Sequence, residues 1–261
     1  MIWRLKICFG LFNCQNVSGH RIESILAVTN KAELVCRNNM QLTKIGKAST
    51  DCSVEVTMLV DDANVVVTNA RHTAKLVVGS PAVETGTTTG TGMVTVRNGG
   101  LLFVDSLEAV QGADSSLSLP SGVLRARDAD VDGDGAQVVG SADAVGGEWR
   151  LGAGGVNEFR KGLKVLAGSS LGVEIDADGT CGFADASGQS LVFASGSVLN
   201  LVALDGFTPA VHRTFDVAVA ETIVGLPKPP REWQVAVAQG DDEQHLSLTY
   251  NPVRGTMLIV R

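Results

Sequence analysis

The chain has 261 residues, a net charge of −7 and an isoelectric point near 5.1. It contains 30 glycines, while Phe, Trp and Tyr together make up 5% and charged residues 19%. So few charged residues disfavour a helical bundle or coiled coil, which needs abundant Glu and Lys at helical spacing. A hydrophobic share of 44% excludes a disordered chain. Because no basic cluster exceeds two adjacent residues, we expect no nucleic-acid partner.

The N-terminus places two basic side chains before a short apolar run, within residues 1–12. This is how a signal peptide begins, but the run is short and no clear A-x-A cleavage site follows. The sequence lacks the roughly 18 consecutive apolar residues of a membrane-spanning helix, so we expect no membrane span. Five irregularly spaced cysteines without a C-x-x-C pair disfavour a zinc ribbon. We expect buried free thiols, and one disulfide among the first four cysteines stays an open alternative.

Residues 20–36 are the best helix candidate in the chain. Ile22, Ile25 and Leu26 partly follow the 3.6-residue period of an amphipathic helix. A pair of strands fits the same residues almost as well. We interpret residues 1–37 as an N-terminal segment or cap.

Residues 38–205 contain short apolar alternations of the length of short strands, each closed by Gly, Asn, Asp or Ser. The clearest are residues 54–58, 64–68, 75–78, 93–96 and 101–104. Glycines stand before such segments at Gly79, Gly100, Gly122, Gly147, Gly168 and Gly196. Their intervals are 21, 22, 25, 21 and 28 residues, by subtraction of these numbers. A "Gly-x-x-Leu" pattern recurs at residues 168–171 and 196–199, with the related Ser-Gly-Val-Leu at 121–124.

This spacing predicts an all-β fold, a right-handed parallel β-solenoid over residues 38–205. Stacked coils produce a repeat of about this length, and a narrow interior suits Val, Leu and Ala better than Trp or Tyr. The corners of such coils need residues that tolerate positive φ, which glycine and asparagine supply. The alternative is an antiparallel β-sandwich or barrel, whose turns come every 8 to 12 residues.

The last part of the chain, residues 206–261, predicts an antiparallel cap. Strict alternation occurs at residues 214–219, 233–237 and 246–250, with a polar turn between the last two. That arrangement is typical of a hairpin. A final strand is predicted at residues 257–260. A solenoid needs such a cap, because its last coil would otherwise expose an open sheet edge.

Two segments resemble known β-strand repeats, "Val-Arg-Asn-Gly-Gly-Leu-Leu" at 96–102 and "Leu-Ala-Gly-Ser-Ser-Leu" at 166–171. Together with the ending at 233–252 they resemble autotransporter-type passenger regions and related bacterial surface proteins. The resemblance implies a secreted or surface-displayed right-handed β-solenoid, in most cases without enzymatic activity.

The strongest local motif is Arg127-Asp128-Ala129-Asp130-Val131-Asp132-Gly133-Asp134-Gly135. It begins like an EF-hand loop, but the twelfth position is Val139, where a bidentate carboxylate is required. In an extended segment all four aspartates point to one side. Four adjacent carboxylates repel one another unless a cation lies among them. The sequence therefore offers two interpretations, a Ca²⁺ site made by Asp128, Asp130, Asp132 and Asp134, or a solvated acidic turn.

Three functions stay open. The first is a non-catalytic, secreted or cell-surface structural or adhesive module that contacts surface or extracellular-matrix components, polysaccharide among them. The second is a carbohydrate-active β-helix enzyme, with the aspartates converging on Arg125 or Arg127 and with Trp149, Phe159 and Trp233 as sugar platforms. The third is a phage or virion fibre fragment, which would have to trimerise. We favour the first, with no catalytic residues and no resident cofactor apart from Ca²⁺; the oligomeric state is left open.

Overall fold

The computed structural model describes residues 21–42, 53–79, 89–110, 115–132 and 135–252. These residues form strands without any helix. The strands are β1 (Arg21–Thr29), β2 (Glu33–Cys36), β3 (Met40–Gln41), β4 (Ser53–Asp61), β5 (Asn64–Val67), β6 (Lys75–Val78), β7 (Thr89–Arg97), β8 (Leu101–Val110), β9 (Ser116–Ser118), β10 (Val123–Asp132), β11 (Gln137–Val139), β12 (Glu148–Leu151), β13 (Val156–Phe159), β14 (Leu163–Val165), β15 (Ser170–Ile175), β16 (Phe183–Phe193), β17 (Val198–Ala203), β18 (Thr214–Val224), β19 (Trp233–Gln239) and β20 (Gln244–Tyr250).

Parallel pairing arranges the strands from β1 to β18 in three rows. Row 1 contains β1, β4, β7, β9, β11, β14 and the ends of β16 and β18, with β9 linked to β11 by the bridge between Leu119 and Val139. Row 2 contains β2, β5, the starts of β8 and β10, then β12, β15 and β17. Row 3 contains β3, β6, the ends of β8 and β10, then β13 and the starts of β16 and β18. The chain visits rows 1, 2 and 3 in turn.

Paired residues in neighbouring parallel strands are 20 to 37 positions apart in the sequence. The shortest separation joins Leu119 to Val139 and the longest joins Asn64 to Leu101. Connections of this length are what parallel pairing requires. All pairing from β1 to β18 is parallel, except for one antiparallel bridge between Ile175 and Cys181. The alternative of an antiparallel sandwich is therefore wrong for this part of the chain.

The recurring Gly-x-x-Leu pattern marks the register of row 2. The leucines of this pattern belong to one stack of inward residues, to which each strand of row 2 contributes one side chain. The stack consists of Leu34, Val65, Leu102, Leu124, Trp149, Leu171 and Leu199. All seven are buried. Gly79 does not belong to this series, because Leu101 pairs with Asn64 and the residue equivalent to Gly100 is Ala63.

The core lies between the rows and consists of alternate side chains from each strand. In β8 and β10 the alternation shifts by one position where the strand passes from row 2 to row 3. Leu102 and Leu107 are both buried, and Asp105 between them is buried as well. Because of this shift, both halves of β8, one in row 2 and one in row 3, direct side chains into the same core. The shift also leaves the polar residue Asp105 buried between the two halves.

The helix predicted for residues 20–36 is wrong, and the alternative of two strands is confirmed as β1 and β2. β1 is the first strand of row 1, and Ile25 is 78% exposed there. Because this strand carries apolar residues on both of its faces, their spacing in the sequence resembles that of an amphipathic helix. Within the described residues, parallel pairing extends from β1 to β18. The boundaries after residues 37 and 205 stay a prediction.

The antiparallel pairing predicted for the C-terminal part is confirmed for β18, β20 and β19, which lie side by side in that order. The polar turn after Gln239 closes the hairpin between β19 and β20. The strand predicted at 257–260 and the signal-like residues 1–12 lie outside the described residues. Within the described residues no helix is long and apolar enough to cross a membrane. Cys36 and Cys181 are free thiols, and the other three cysteines lie outside the described residues.

Candidate functional site

The aspartates of the acidic motif lie on the outer side of β10, as their period-two spacing predicts. Asp128 and Asp132 are exposed and Asp130 is half-buried, while Ala129 and Val131 between them are buried. Asp128 accepts a hydrogen bond from the backbone N–H of Val156 at 3.2 Å. Asp134, the fourth predicted ligand, lies outside the described residues.

Asp130 is one of four carboxylates that occupy the same position in adjacent strands of row 3. These are Glu108 of β8, Asp130 of β10, Glu158 of β13 and Asp185 of β16. Like charges opposite one another in a sheet are destabilising, so the row needs cations. Lys75 donates to Glu108 at 2.7 Å. We call these four carboxylates the acidic row.

Arg160 is the cation at the centre of the acidic row. Its Nε and Nη2 donate to the two carboxylate oxygens of Asp130 at 2.6 and 2.7 Å, and its Nη2 lies 3.6 Å from Glu158. The hydrogen bonds from Asp130 raise the pKa of Arg160 above its ordinary value. Asp130 is thus held in a bidentate ion pair. Its carboxylate faces an arginine at the position where one of the two interpretations of the motif places a metal ion.

The Ca²⁺ site stays a prediction that the described geometry does not support. Among the described residues, no three or more His, Cys, Asp or Glu side chains are arranged to hold a metal ion. Ca²⁺ takes six to eight oxygen ligands at 2.3–2.6 Å. Asp128, Asp130 and Asp132 share a side of the strand, but Asp130 is already neutralised by Arg160.

Arg125 does not join the aspartates. Its side chain runs along the outer face of row 2 to Glu174 of β15, where Nε and Nη2 donate at 3.1 and 2.7 Å. The guanidinium carbon also lies 4.3 Å from the centre of the Phe103 ring. Gly152 makes this path available, because a Cβ atom there would lie 2.9 Å from the guanidinium. No hydrogen bond or ion pair joins Arg127 to the described aspartates.

A second ion pair lies beside the first on the same face. Arg150 donates from Nε to Glu148 at 2.6 Å. The other oxygen of Glu148 accepts from the Ser170 hydroxyl at 3.1 Å and from the Asn200 amide at 2.8 Å. Glu148 and Glu174 are both buried, so these charges are compensated by partners that leave little room for a ligand. We call Arg125, Glu174, Glu148 and Arg150 the row 2 ion network.

The sugar platforms expected for a carbohydrate-active enzyme are wrong. Trp149 is 0%, Phe159 1% and Trp233 8% exposed, so none of the three rings offers a face to a sugar. Trp149 and Phe159 pack edge to face in the core with ring centres 5.0 Å apart. The Nε1–H of Trp149 donates to Asn157 at 2.9 Å, and this satisfies its polar atom without reaching solvent.

A buried carboxylate that no sequence motif marks lies where β8 passes from row 2 to row 3. Asp105 is fully buried and holds the loop between β5 and β6. It accepts hydrogen bonds from the Thr68 hydroxyl at 2.7 Å and from the backbone N–H groups of Asn69 and Ala74 at 3.0 and 3.3 Å. The exposed His72 ring approaches it at 3.4 Å. Asp105 looks like any polar residue of an alternating strand, so only its place at the shift in alternation could have marked it.

Replacing Asp105 with alanine is expected to lower the free energy of unfolding by about 2 kcal/mol, because three hydrogen-bond donors lose their acceptor. Burial alone would raise the pKa of Asp105, but the hydrogen bonds from Thr68, Asn69, Ala74 and His72 outweigh it, so the pKa lies below its ordinary value. This stabilisation is present above the unfolded pKa of about 3.9 and is lost as the pH falls through the lower folded value. Urea titrations between pH 7 and 3 measure it.

The matched control is Asp105→Asn, which keeps an acceptor oxygen and cannot titrate. We expect it to cost less than Asp105→Ala at pH 7 and to flatten the fall in stability below pH 4. An identical acid profile for Asp105→Asn and the unmodified chain would show that Asp105 is not the responsible carboxylate.

No protein-family model and no curated protein matches this chain. The interpretation of function therefore depends on the geometry described above.

Proposed function

We propose that the chain is a non-catalytic structural or adhesive module, secreted or displayed at a cell surface, built as a three-sided parallel β-solenoid. The observation that carries the proposal is the order of the rows, because the chain passes through rows 1, 2 and 3 in turn and each strand pairs with one 20 to 37 residues away. A chain that returns to the same three rows in the same order describes coils. Parallel crossover connections are right-handed in about 98% of cases, which favours a right-handed solenoid.

The stacks of equivalent residues support the same architecture. Seven strands follow one another in row 2, from β2 to β17. At a spacing of roughly 4.8 Å between strands, six intervals give a stack about 29 Å long. The antiparallel strands β18, β20 and β19 then act as the C-terminal cap. The autotransporter-type resemblance agrees with this proposal and supplies its secreted or surface location.

The polar residues favour a structural role over carbohydrate chemistry. Arg125 binds Glu174 and Asp130 binds Arg160, so the arginine and the aspartate expected to converge are held apart by other partners. The three candidate aromatic platforms are buried. An enzyme of this kind needs a concave site where a few polar groups converge. The outer faces instead carry side chains that pair with each other, as a stiff scaffold with contact surfaces would.

Cysteine pairs placed in register are expected to form disulfides within each row. The pairs are Thr57→Cys with Met93→Cys in row 1, Leu101→Cys with Val123→Cys in row 2, and Ser106→Cys with Asp128→Cys in row 3. Adjacent strands lie 4.7–4.9 Å apart, within the 4.4–6.8 Å range between Cα atoms that a disulfide accepts. Oxidation followed by peptide mapping identifies each bridge and distinguishes it from those of native cysteines.

The control pair joins different rows, Thr57→Cys with Val123→Cys, and should give no intramolecular bridge. Cross-linking of that pair, or failure of two of the three in-register pairs, would contradict the coil arrangement.

The functional test is retention without turnover. Beads coated with the full chain should be retained on immobilised extracellular-matrix protein or polysaccharide more than beads coated with an unrelated protein of equal charge. Incubation with soluble polysaccharide should release no new chain ends. Depolymerisation would overturn the non-catalytic assignment, and equal retention of both bead types would overturn the adhesive one.

A further inference from the structure

Strand β19 forms an edge that lacks the usual protection of natural sheets. Its seven residues, Trp-Gln-Val-Ala-Val-Ala-Gln, carry no charge and no proline, and its pairing with β20 has no register shift. In the described part of the chain, β20 is the only strand that pairs with it. Proteins normally block such edges with charged residues, proline or a bulge, because an open edge pairs with another strand.

The hydrogen bonds at the two ends of the hairpin show which backbone groups are free. The Asn251 N–H donates to the Glu232 carbonyl at 2.8 Å, and the Gly240 N–H donates to the Glu243 carbonyl at 2.7 Å. Antiparallel hydrogen bonding alternates along a strand, so the even-numbered residues of β19 face β20. Val235 and Val237 therefore direct their N–H and C=O groups to the open edge.

We propose that this edge pairs with β19 of a second copy of the chain, antiparallel, with Ala236 on the twofold axis. In this arrangement the numbers of two residues that face each other, one from each copy, add up to 472. Val235 of one copy therefore faces Val237 of the other. Both have their backbone groups on the open edge, and the two symmetric pairs form four hydrogen bonds. A twofold interface uses the same patch on both copies. β19 fits this requirement because Val235 and Val237 lie symmetrically on either side of Ala236 in the sequence.

Charge complementarity selects this register. Arg231 precedes β19 and Asp241 follows it, and both are exposed. Arg231 lies in the turn before β19, where Glu232 has a φ of 68°, and Asp241 lies in the turn after it, so these two side chains meet at the ends of the interface and not within the strand ladder. With Ala236 on the axis, Arg231 of each copy lies at the same end of the interface as Asp241 of the other. A shift of the sum to 474 would bring Arg231 to another acid, Glu243, but would also bring Glu232 to Asp242, two like charges. A shift to 470 would bring Arg231 to the uncharged Gln239. Between two chains that each carry −7, local attraction at both ends sets the register.

Sedimentation velocity of the full chain over a range of concentrations tests the proposal. We expect a reversible monomer–dimer equilibrium. Val237→Pro removes an N–H that faces the open edge and not β20, so it should abolish the dimer while far-UV circular dichroism and the melting temperature stay close to those of the unmodified monomer. Ala236→Pro is the matched control, because its N–H bonds β20; it should disturb the hairpin itself.

Charge reversal tests the register. Arg231→Asp should weaken the dimer about tenfold or more, and the double variant Arg231→Asp with Asp241→Arg should restore it. A chain that stays monomeric at all concentrations, a trimer, or a dimer insensitive to Val237→Pro would overturn the proposal. A dimer that forms only after removal of residues 253–261 would also overturn it, because those residues would then be the occupant of the edge.

Discussion

Replacing Glu174 with alanine is expected to lower the free energy of unfolding by about 3–5 kcal/mol, the usual cost of removing one partner of a buried ion pair. The side chains of Arg125 and Glu174 are 12% and 6% exposed. Without Glu174, the guanidinium of Arg125 loses its ion-pair partner and keeps its contact with the Phe103 ring. The backbone N–H of Ala153 also loses its acceptor. Urea titration followed by far-UV circular dichroism measures the loss.

Two companion variants separate a lost ion pair from general damage. Asp130→Ala removes an ion pair with Arg160 on row 3, but that pair is about half exposed and screened by solvent, so its loss should cost much less than the loss of Glu174. The double variant Arg125→Met with Glu174→Met replaces both charges with apolar side chains and should recover most of the stability. Equal effects of Glu174→Ala and Asp130→Ala would show that the row 2 network contributes no more than a surface ion pair.

The register of row 2 could be predicted from the sequence because leucine recurs as the second residue of its strands, shortly after a glycine. The pattern places Leu124, Leu171 and Leu199 in one stack, and pairing confirms it. The position after each of these leucines would have aligned Arg125 with Gly172 and Asn200, a signal for the row 2 network. Glu174 could not be found in this way, because Arg125 reaches it across an intervening strand and over Gly152.

For the aspartate motif, the sequence predicts the direction of the side chains but not their partners. Period two correctly placed Asp128, Asp130 and Asp132 on one side of β10. What it could not supply was the neighbour in the next strand, because Arg160 lies 30 residues further along the chain. A local motif gives the direction of side chains, but the charge that pairs with Asp130 lies 30 residues away and the charge that pairs with Arg125 lies 49 residues away. Candidate sites in such a fold should therefore be sought in the stacked register and not in contiguous segments.

Trp149 was also misjudged from composition, because a narrow interior was expected to exclude large rings. The chain accommodates it with small inward residues in the neighbouring row 3 stack, Ala129, Asn157 and Ala184. Asn157 is fully buried; its Oδ1 accepts from the indole and its Nδ2 donates to the Arg127 carbonyl at 3.0 Å. The Trp149 ring and the Asn157 amide thus lie side by side in the core.

Replacing Trp149 with alanine is therefore expected to cost about 3–5 kcal/mol, the range for large-to-small aromatic changes in a core. Two further losses act in the same direction, the orphaned Oδ1 of Asn157 and the edge-to-face contact with Phe159. Trp149→Phe keeps an aromatic ring and should cost less, with the remaining deficit reporting mainly the lost hydrogen bond. Denaturant titration by far-UV circular dichroism measures both.

The comparison variant is Leu171→Val, one level away in the same stack, which removes a single methylene and should cost about 1 kcal/mol. If the rows stack as the proposed coils, each level contacts only its neighbours, and a cavity at Trp149 weakens the levels of Leu124 and Leu171 first. Hydrogen exchange should accelerate in β10, β12 and β15 before it does in β4 and β7. Uniform acceleration along the whole chain would mean that the levels are not separable, and would count against stacked coils as the source of stability.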